Sequence, residues 1–147
     1  VLGQKAWGIN NLLSICNFTS VPLHAMTFDL LVQAVRGITG WDTSLFEIIQ
    51  AVDRSIVMSR IFNLREGQSP EEDRVISRWH EPMPEGPLKG QYIDKEAFRR
   101  AVQAYYALCG WDDQGRPTSG KLLELGLDWL AEENFSLNRT GPEAQPE

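Results

Sequence analysis

Apolar residues recur every three to four positions along most of this 147-residue chain, and no stretch alternates apolar and polar residues long enough to read as a strand. The pattern predicts an all-α, irregular multi-helix domain. From Thr27 onward, Phe28, Leu30, Leu31, Ala34 and Val35 share a helical face, with Thr27 as N-cap, Asp29 in the first turn and Gly37 or Gly40 as the stop. Ser44-Leu45-Phe46-Glu47 is a capping box, in which the serine hydroxyl and the glutamate carboxylate each accept a backbone N–H that the helix leaves unpaired. It opens the longest predicted helix, whose stripe of Leu45, Ile48, Ile49, Val52, Ile56, Ser59 and Phe62 runs until Gly67 ends it.

Ser69-Pro70-Glu71-Glu72 repeats the capping signature with proline at the first helical position, so a short helical turn is expected. Residues 80–90 hold three prolines and two glycines and cannot continue a helix. They predict an extended loop whose Trp79, Met83 and Leu88 pack back onto the body. Asp94 caps a helix with Phe98, Ala101, Val102, Tyr105, Leu108 and Cys109 on one face and Gly110 as its left-handed C-cap. A turn-rich link over 111–118 leads to a brief helix from Thr118 to Leu125 and a further turn between Leu127 and Glu133. Residues 1–135 thus read as one helical domain, incomplete at its N-terminal side, and residues 136–147 as a disordered tail rich in Gly, Pro and Glu.

With 42% hydrophobic residues the chain can bury a core without staples. A formal net charge of -6 argues against nucleic acid or anionic lipid as a partner. No apolar run approaches the roughly 20 residues that span a bilayer, and the opening Val-Leu-Gly-Gln-Lys lacks the order of a signal peptide, so a cytoplasmic setting is expected. Cys16, Cys109, His24 and His80 are the only cysteines and histidines, and no familiar ligand spacing joins them. A metal bound here needs ligands from other polypeptide.

Cys109 falls at helical spacing from Phe98, Val102 and Tyr105 and reads as a small core residue. His24 and His80 stand alone in loop-like sequence and carry no expected role. Asp112 and Asp113 could form an acid/base pair, but in a Trp-Asp-Asp-Gln-Gly turn local capping is the commoner use of such carboxylates. The triplets at Asn17, Asn134 and Asn138 have the glycosylation form, which matters only in a secreted chain. Cys16 differs: it follows the short segment Asn11-Leu12-Leu13-Ser14-Ile15 and precedes small polar residues, a helix end or loop from which a thiol can be presented to a cofactor. On residue type alone a buried structural thiol is the more frequent outcome.

Three segments carry a resemblance: Arg60-Ile61-Phe62-Asn63-Leu64-Arg65-Glu66-Gly67, Glu85-Gly86-Pro87-Leu88-Lys89-Gly90, and Tyr105-Tyr106-Ala107-Leu108-Cys109-Gly110-Trp111-Asp112. With Gly115-Arg116-Pro117-Thr118 and Leu122-Leu123-Glu124-Leu125-Gly126-Leu127, they resemble the C-terminal region of aldehyde:ferredoxin oxidoreductases, from about residue 9 to 130 in unbroken order. These are tungsten-pterin enzymes. The family's Asp-x-x-Gly-Leu-Cys motif falls on Asn11 to Cys16, where only the cysteine is kept.

The resemblance implies that Cys16 is the last of four thiolate ligands of a [4Fe-4S] cluster beside the pterin, the other three lying in sequence outside this chain. Asn11, Ser14, Ile15 and Cys16 would then contact the cofactors. Asn11 keeps a carbonyl acceptor for the pterin but not the negative charge of aspartate, and Ser14 adds a side chain where the motif has glycine. By the same resemblance the whole enzyme oxidises aldehydes to carboxylates at a tungsten-bis-pterin, or a molybdenum equivalent, and passes electrons to ferredoxin. This chain would be a helical wall with no catalytic residue, partnered by the remaining domains, with a homo-oligomer also admitted. The two substitutions point to a divergent branch with its own substrate. The alternative is a stand-alone helical interaction or scaffold domain without cofactor.

Overall fold

The computed structural model of the chain describes residues 1–19 and 26–130. Among these the α-helices are α1 (Leu2–Leu12), α2 (Phe28–Thr39), α3 (Leu45–Arg65), α4 (Lys95–Cys109) and α5 (Ser119–Glu124). Single 3-10 turns lie at Asn17–Thr19, Pro70–Glu72, Ser77–His80 and Asp128–Leu130. An isolated bridge between Trp111 and Pro117 is the β pairing among the described residues, and the domain is all-α. His24 and the expected tail 136–147 lie outside the described residues. The chain divides into two compact units, Val1–Ser59 and Arg60–Glu147.

In the first unit the N-termini form as the capping residues require. Thr27 Oγ1 accepts the Leu30 N–H at 3.2 Å, and the Ser44 N–H donates to Glu47 Oε2 at 2.7 Å. Gly40, at φ 71, ends α2, while Gly37 lies inside the helix. Periodicity does not predict α1, because its Gly3, Gly8, Asn10 and Asn11 are poor helix formers. Packing overrides propensity there. Ile9 joins Leu31, Ile48 and Val52 in a buried apolar core, and Lys5 Nζ pairs with Asp53 Oδ2 at 2.7 Å. Gly8 is needed for that approach, since a Cβ at this position would lie 2.4 Å from Val52 Cγ1.

The buried face of α3 departs from the predicted stripe. Ile48 and Val52 are buried as expected, but further along burial falls on Val57, Arg60 and Ile61, while Ser59 and Phe62 are exposed. Burial moves from 48 to 52, 57 and 61, in steps of four and five that exceed the roughly 3.6 residues of one helical turn, so the stripe rotates around the axis. A charged side chain, Arg60, thus lies on the buried face, and Ser59 and Phe62 are turned away from it.

In the second unit Asp94 Oδ1 accepts the Ala97 N–H at 2.8 Å to start α4, and Gly110 at φ 73 ends it. The buried residue of α4 is Tyr106, with Phe98, Val102, Tyr105 and Cys109 half-buried beside it, whereas Leu108 is exposed. Thr118 caps α5 through the Lys121 N–H at 3.2 Å. Residues 80–90 form the expected loop, but Trp79, Met83 and Leu88 do not pack back; they are exposed. The loop is held instead by its own backbone: Met83 N–H to Gln91 O at 2.9 Å, Gly90 N–H to Met83 O at 2.8 Å and Ile93 N–H to Trp79 O at 2.8 Å.

Candidate functional site

Cys16 sits just past the C-terminus of α1, and the last turn of that helix explains how it is presented. Leu13 is the C-cap; Ser14 follows in the left-handed region at φ 55. The Ile15 N–H reaches back to Asn10 O at 2.8 Å and the Ser14 N–H to Asn11 O at 3.2 Å. These are the two bonds of a Schellman motif, which reverses the chain and satisfies helix carbonyls that would otherwise be open. Ile15 then packs against the core that contains Ile9, anchoring the reversal. The chain leaves the core at the next residue, and Cys16 is exposed with its thiol free of any disulfide.

A 3-10 turn, Asn17–Thr19, fixes the far side of this thiol. The Cys16 carbonyl accepts both the Thr19 N–H at 3.1 Å and the Thr19 hydroxyl at 2.7 Å. Buried Asn10 donates its Nδ2 to Asn17 Oδ1 at 3.0 Å, tying the helix end to the turn. Asn11 and Ser14 are exposed, while Ile15 is half-buried. Leu12 and Phe18, one on either side in sequence, are also exposed, Phe18 at 71%. The four predicted positions thus share one short, well-tied segment, in which Ile15 anchors and Asn11, Ser14 and Cys16 face outward. Cys16 is not a core thiol. Nor is it joined by other ligand types: among the described residues no three His, Cys, Asp or Glu side chains gather closely enough to hold a metal.

The second unit contains a buried polar cluster that sequence reasoning missed. Arg60, on the last turns of α3, donates Nη1 and Nη2 to the two oxygens of Asp73 at 3.1 and 2.6 Å and Nε to Gly115 O at 2.8 Å. The Tyr106 hydroxyl donates to Asp73 Oδ2, and Gln68 Nε2 donates to Asp73 Oδ1 at 3.2 Å. The guanidinium carbon lies 5.6 Å from the Tyr106 ring centre and 5.2 Å from that of Trp111, within cation–π range. Gly115, at φ 68, admits this arrangement, since a Cβ there would lie 2.3 Å from Arg60 Nη2.

Burial alone would raise the Asp73 carboxyl, but hydrogen bonds from Arg60 and Tyr106, with the Arg60 charge, outweigh it and hold the group below the ordinary carboxylate value. Burial, then the hydrogen bond to Asp73 and its negative charge, push the Tyr106 phenol up to about 12. Three elements and a loop are locked by one guanidinium. The signal available in the sequence was an arginine in line with Val57 and Ile61 on the α3 face.

The residues set aside behave as their contexts required. Asp112 Oδ1 accepts the N–H groups of Gln114 and Arg116 at 2.9 and 2.8 Å, which is turn chemistry. His80 Nδ1 lies 2.6 Å from Ile93 O and its ring meets Phe98 edge-on, a structural role. Cys109 is half-buried.

Comparison with known proteins places these features in a family. The family model described as aldehyde ferredoxin oxidoreductase, domains 2 and 3, matches residues 1–127. The tungsten-containing aldehyde ferredoxin oxidoreductases of Pyrococcus horikoshii and Pyrococcus abyssi are 34% and 35% identical over 130 residues, covering 87% of this chain and 20% of each relative. The aliphatic sulfonate oxidoreductase, WOR-like subunit, of Pyrococcus furiosus is 28% identical over 77% of this chain and 18% of that protein. A solved structure of the active site complex BamBC of benzoyl coenzyme A reductase shares the fold, with a TM-score of 0.62 at 19% identity over 80% of this chain and 16% of that one. The chain spans about a fifth of the length of the curated relatives it matches. From the match over residues 1–127, the chain belongs to the aldehyde ferredoxin oxidoreductase family, in the region of its domains 2 and 3.

Proposed function

We propose that this chain is the C-terminal part of a tungsten-pterin, or molybdenum-pterin, oxidoreductase, in which Cys16 is one thiolate ligand of a [4Fe-4S] cluster whose other ligands come from polypeptide outside residues 1–147. The observation that carries the reading is the exposed Cys16 thiol on a doubly tied turn, in a chain that matches this family. A cluster ligand must be deprotonated, reachable and held still, because each thiolate is one corner of a rigid shell. Cys16 is reachable, and the Schellman bonds behind it with the Thr19 bonds ahead of it restrict its backbone. When bound, the cluster would supply one-electron transfer to a ferredoxin-type acceptor. The chain's own part is to position the thiol and wall off one side of the site.

The exposed side chains of Asn11 and Ser14 accompany Cys16 on the same segment, so they are the positions from which this chain would touch a pterin. Asn11 offers an amide that both donates and accepts, in place of a carboxylate that only accepts. Ser14 occupies the left-handed C′ position, which explains the glycine of the related motif as a backbone requirement of the helix end. The reaction proposed for the whole enzyme is oxidation of an aldehyde to a carboxylate. The 28% identity to an aliphatic sulfonate oxidoreductase subunit favours keeping a second substrate class in the same assay.

The test is Cys16→Ser in the complete enzyme, read by iron content and by the electron paramagnetic resonance of the reduced cluster. The expected outcome is a site depleted of iron or converted to a three-iron form. An unchanged four-iron stoichiometry with an unaltered spectrum overturns the assignment.

A further inference from the structure

We propose that the apolar groove formed by residues 76–93 is a docking surface for a segment of the same enzyme lying outside residues 1–147, which inserts apolar side chains against Trp79, Met83 and Leu88. This rests on the reading above only in taking the chain as part of a larger enzyme, not in the ligation by Cys16.

The groove has a volume of about 590 Å³, and Ile76, Trp79, Met83, Leu88, Tyr92 and Ile93 supply most of its wall. Five of these six are exposed, Ile76 at 67% and Trp79 and Tyr92 at 58% each. A loop with this many apolar side chains would ordinarily fold them inward. Here the backbone prevents it. Ile93 N–H to Trp79 O, Met83 N–H to Gln91 O and Gly90 N–H to Met83 O pin the two sides of the loop to each other, and His80 Nδ1 against Ile93 O closes the base. Prolines 82, 84 and 87 stiffen the span between these ties. The apolar side chains are therefore held apart and outward, as a preorganised surface rather than a collapsed one.

Arg78, Glu81 and Gln91 complete the groove, giving an apolar floor with polar groups beside it. That is the anatomy of a protein–protein contact, in which a dry centre is bordered by side chains that can stay hydrated or pair. The occupant follows from length. The matched relatives carry about four-fifths of their chain outside the region that corresponds to this one, and the family match is to domains 2 and 3, so further polypeptide belongs beside it. An uncovered patch of this kind is uncommon on a finished protein surface.

The experiment uses the complete enzyme with Leu88→p-benzoylphenylalanine, irradiated and digested, with cross-linked peptides identified by mass spectrometry. The expected product joins residue 88 to a peptide from outside residues 1–147 of the same polypeptide, with no gain in mass of the intact chain. A cross-link to a second copy, or none above background, overturns the proposal. Hydroxyl-radical footprinting of the unsubstituted enzyme gives an independent reading should that variant fold poorly. Trp79 and Met83 should then be oxidised about ten-fold more slowly than in the urea-unfolded enzyme, as expected for side chains in a water-excluding interface. Slowing of only about two-fold, which their exposure in this structure already accounts for, overturns it. Iron content is read on the same samples, so loss of the docking result leaves the Cys16 assignment standing, and the reverse.

Discussion

The two units are built around centres of opposite kind. In the first, Ile9, Leu31, Ile48 and Val52 meet in an apolar core. In the second, the buried guanidinium of Arg60 and phenol of Tyr106 meet the half-buried carboxylate of Asp73, walled by Trp111. Apolar packing has no preferred direction and degrades gradually as volume is removed. A buried ionic network is directional, and removing one member leaves another charged and unpaired. The first centre should therefore respond to size and the second to charge.

The largest expected effect breaks the second centre. Arg60→Ala strips Asp73 of both guanidinium bonds and frees Gly115 O, so unfolding stability should fall by about 2 kcal/mol, less than the full cost of unpairing a buried charge because Asp73 is half-buried and keeps its bonds from Tyr106 and Gln68. Urea unfolding at pH 7 measures it. Arg60→Lys should recover little, because an ammonium cannot reproduce the bidentate fork and the bond to Gly115 together. A loss below about 1 kcal/mol for Arg60→Ala would place this pair with exposed surface bridges, and the contrast between the units would disappear.

The same centre should make stability depend on pH at both extremes. The Asp73 carboxyl is held low, so its contribution is present above the ordinary carboxylate value and is lost as pH falls through its folded value. Tyr106 is raised to about 12, so the folded state keeps a proton that the unfolded chain releases near 10. Its contribution is complete below pH 10 and disappears as pH rises through about 12, a change on the order of 2 kcal/mol. Comparing unfolding free energies of the native protein and Tyr106→Phe at pH 9 and pH 12 isolates it. The difference between the two proteins should shrink at the higher pH, and a constant difference would show that Tyr106 is not the group responsible.

Sharpening the first centre calls for a change of volume without charge. Gly8→Ala gains helix propensity of about 1 kcal/mol but drives a methyl into Val52, whose branched Cβ has one comfortable rotamer in a helix. Overpacking of this sort costs about 2 kcal/mol, for a net loss near 1 kcal/mol. In a Val52→Ala background the new methyl should enter the vacated space and stabilise instead. That reversal of sign, read by a double-mutant cycle in thermal unfolding, is the signature of a size-limited core.

How much of this could be read from the chain varies with the physics involved. The starts of α2, α3, α4 and α5 were legible because Thr27, Ser44, Asp94 and Thr118 act within three residues of themselves. The C-cap at Gly110 and the turn at Asp112 were legible for the same reason. What sequence distance separates was not. Asp73 and Arg60 are 13 residues apart and Tyr106 is 46 beyond Arg60, so no local pattern announces their meeting. The helix α1 escaped notice because Gly8, which lowers propensity, is the residue that lets α1 close on Val52. At Cys16, residue type favoured a buried thiol, and the structure places it outside. The outward Trp79, Met83 and Leu88 escaped too, since composition cannot tell a loop that folds its apolar residues inward from one tied so that it cannot.

The smallest expected effect lies on the segment where the first unit's packing meets the proposed cofactor ligand. Ser14 stands at φ 55, a conformation in which a Cβ crowds the following carbonyl and which glycine adopts freely. Ser14→Gly removes that strain while giving the unfolded chain more freedom, so the net gain should be about 0.5 kcal/mol. Differential scanning calorimetry with replicate scans can resolve it. The bonds from Ile15 to Asn10 and from Ser14 to Asn11 do not involve the serine side chain and should persist, leaving the Cys16 backbone where it is. In the complete enzyme, then, the variant should gain stability with its iron content unchanged. A loss of stability would mean that the serine hydroxyl makes a contact worth more than the backbone strain, and that this turn is held by polar bonding, like the second unit, instead of by the core behind Ile15.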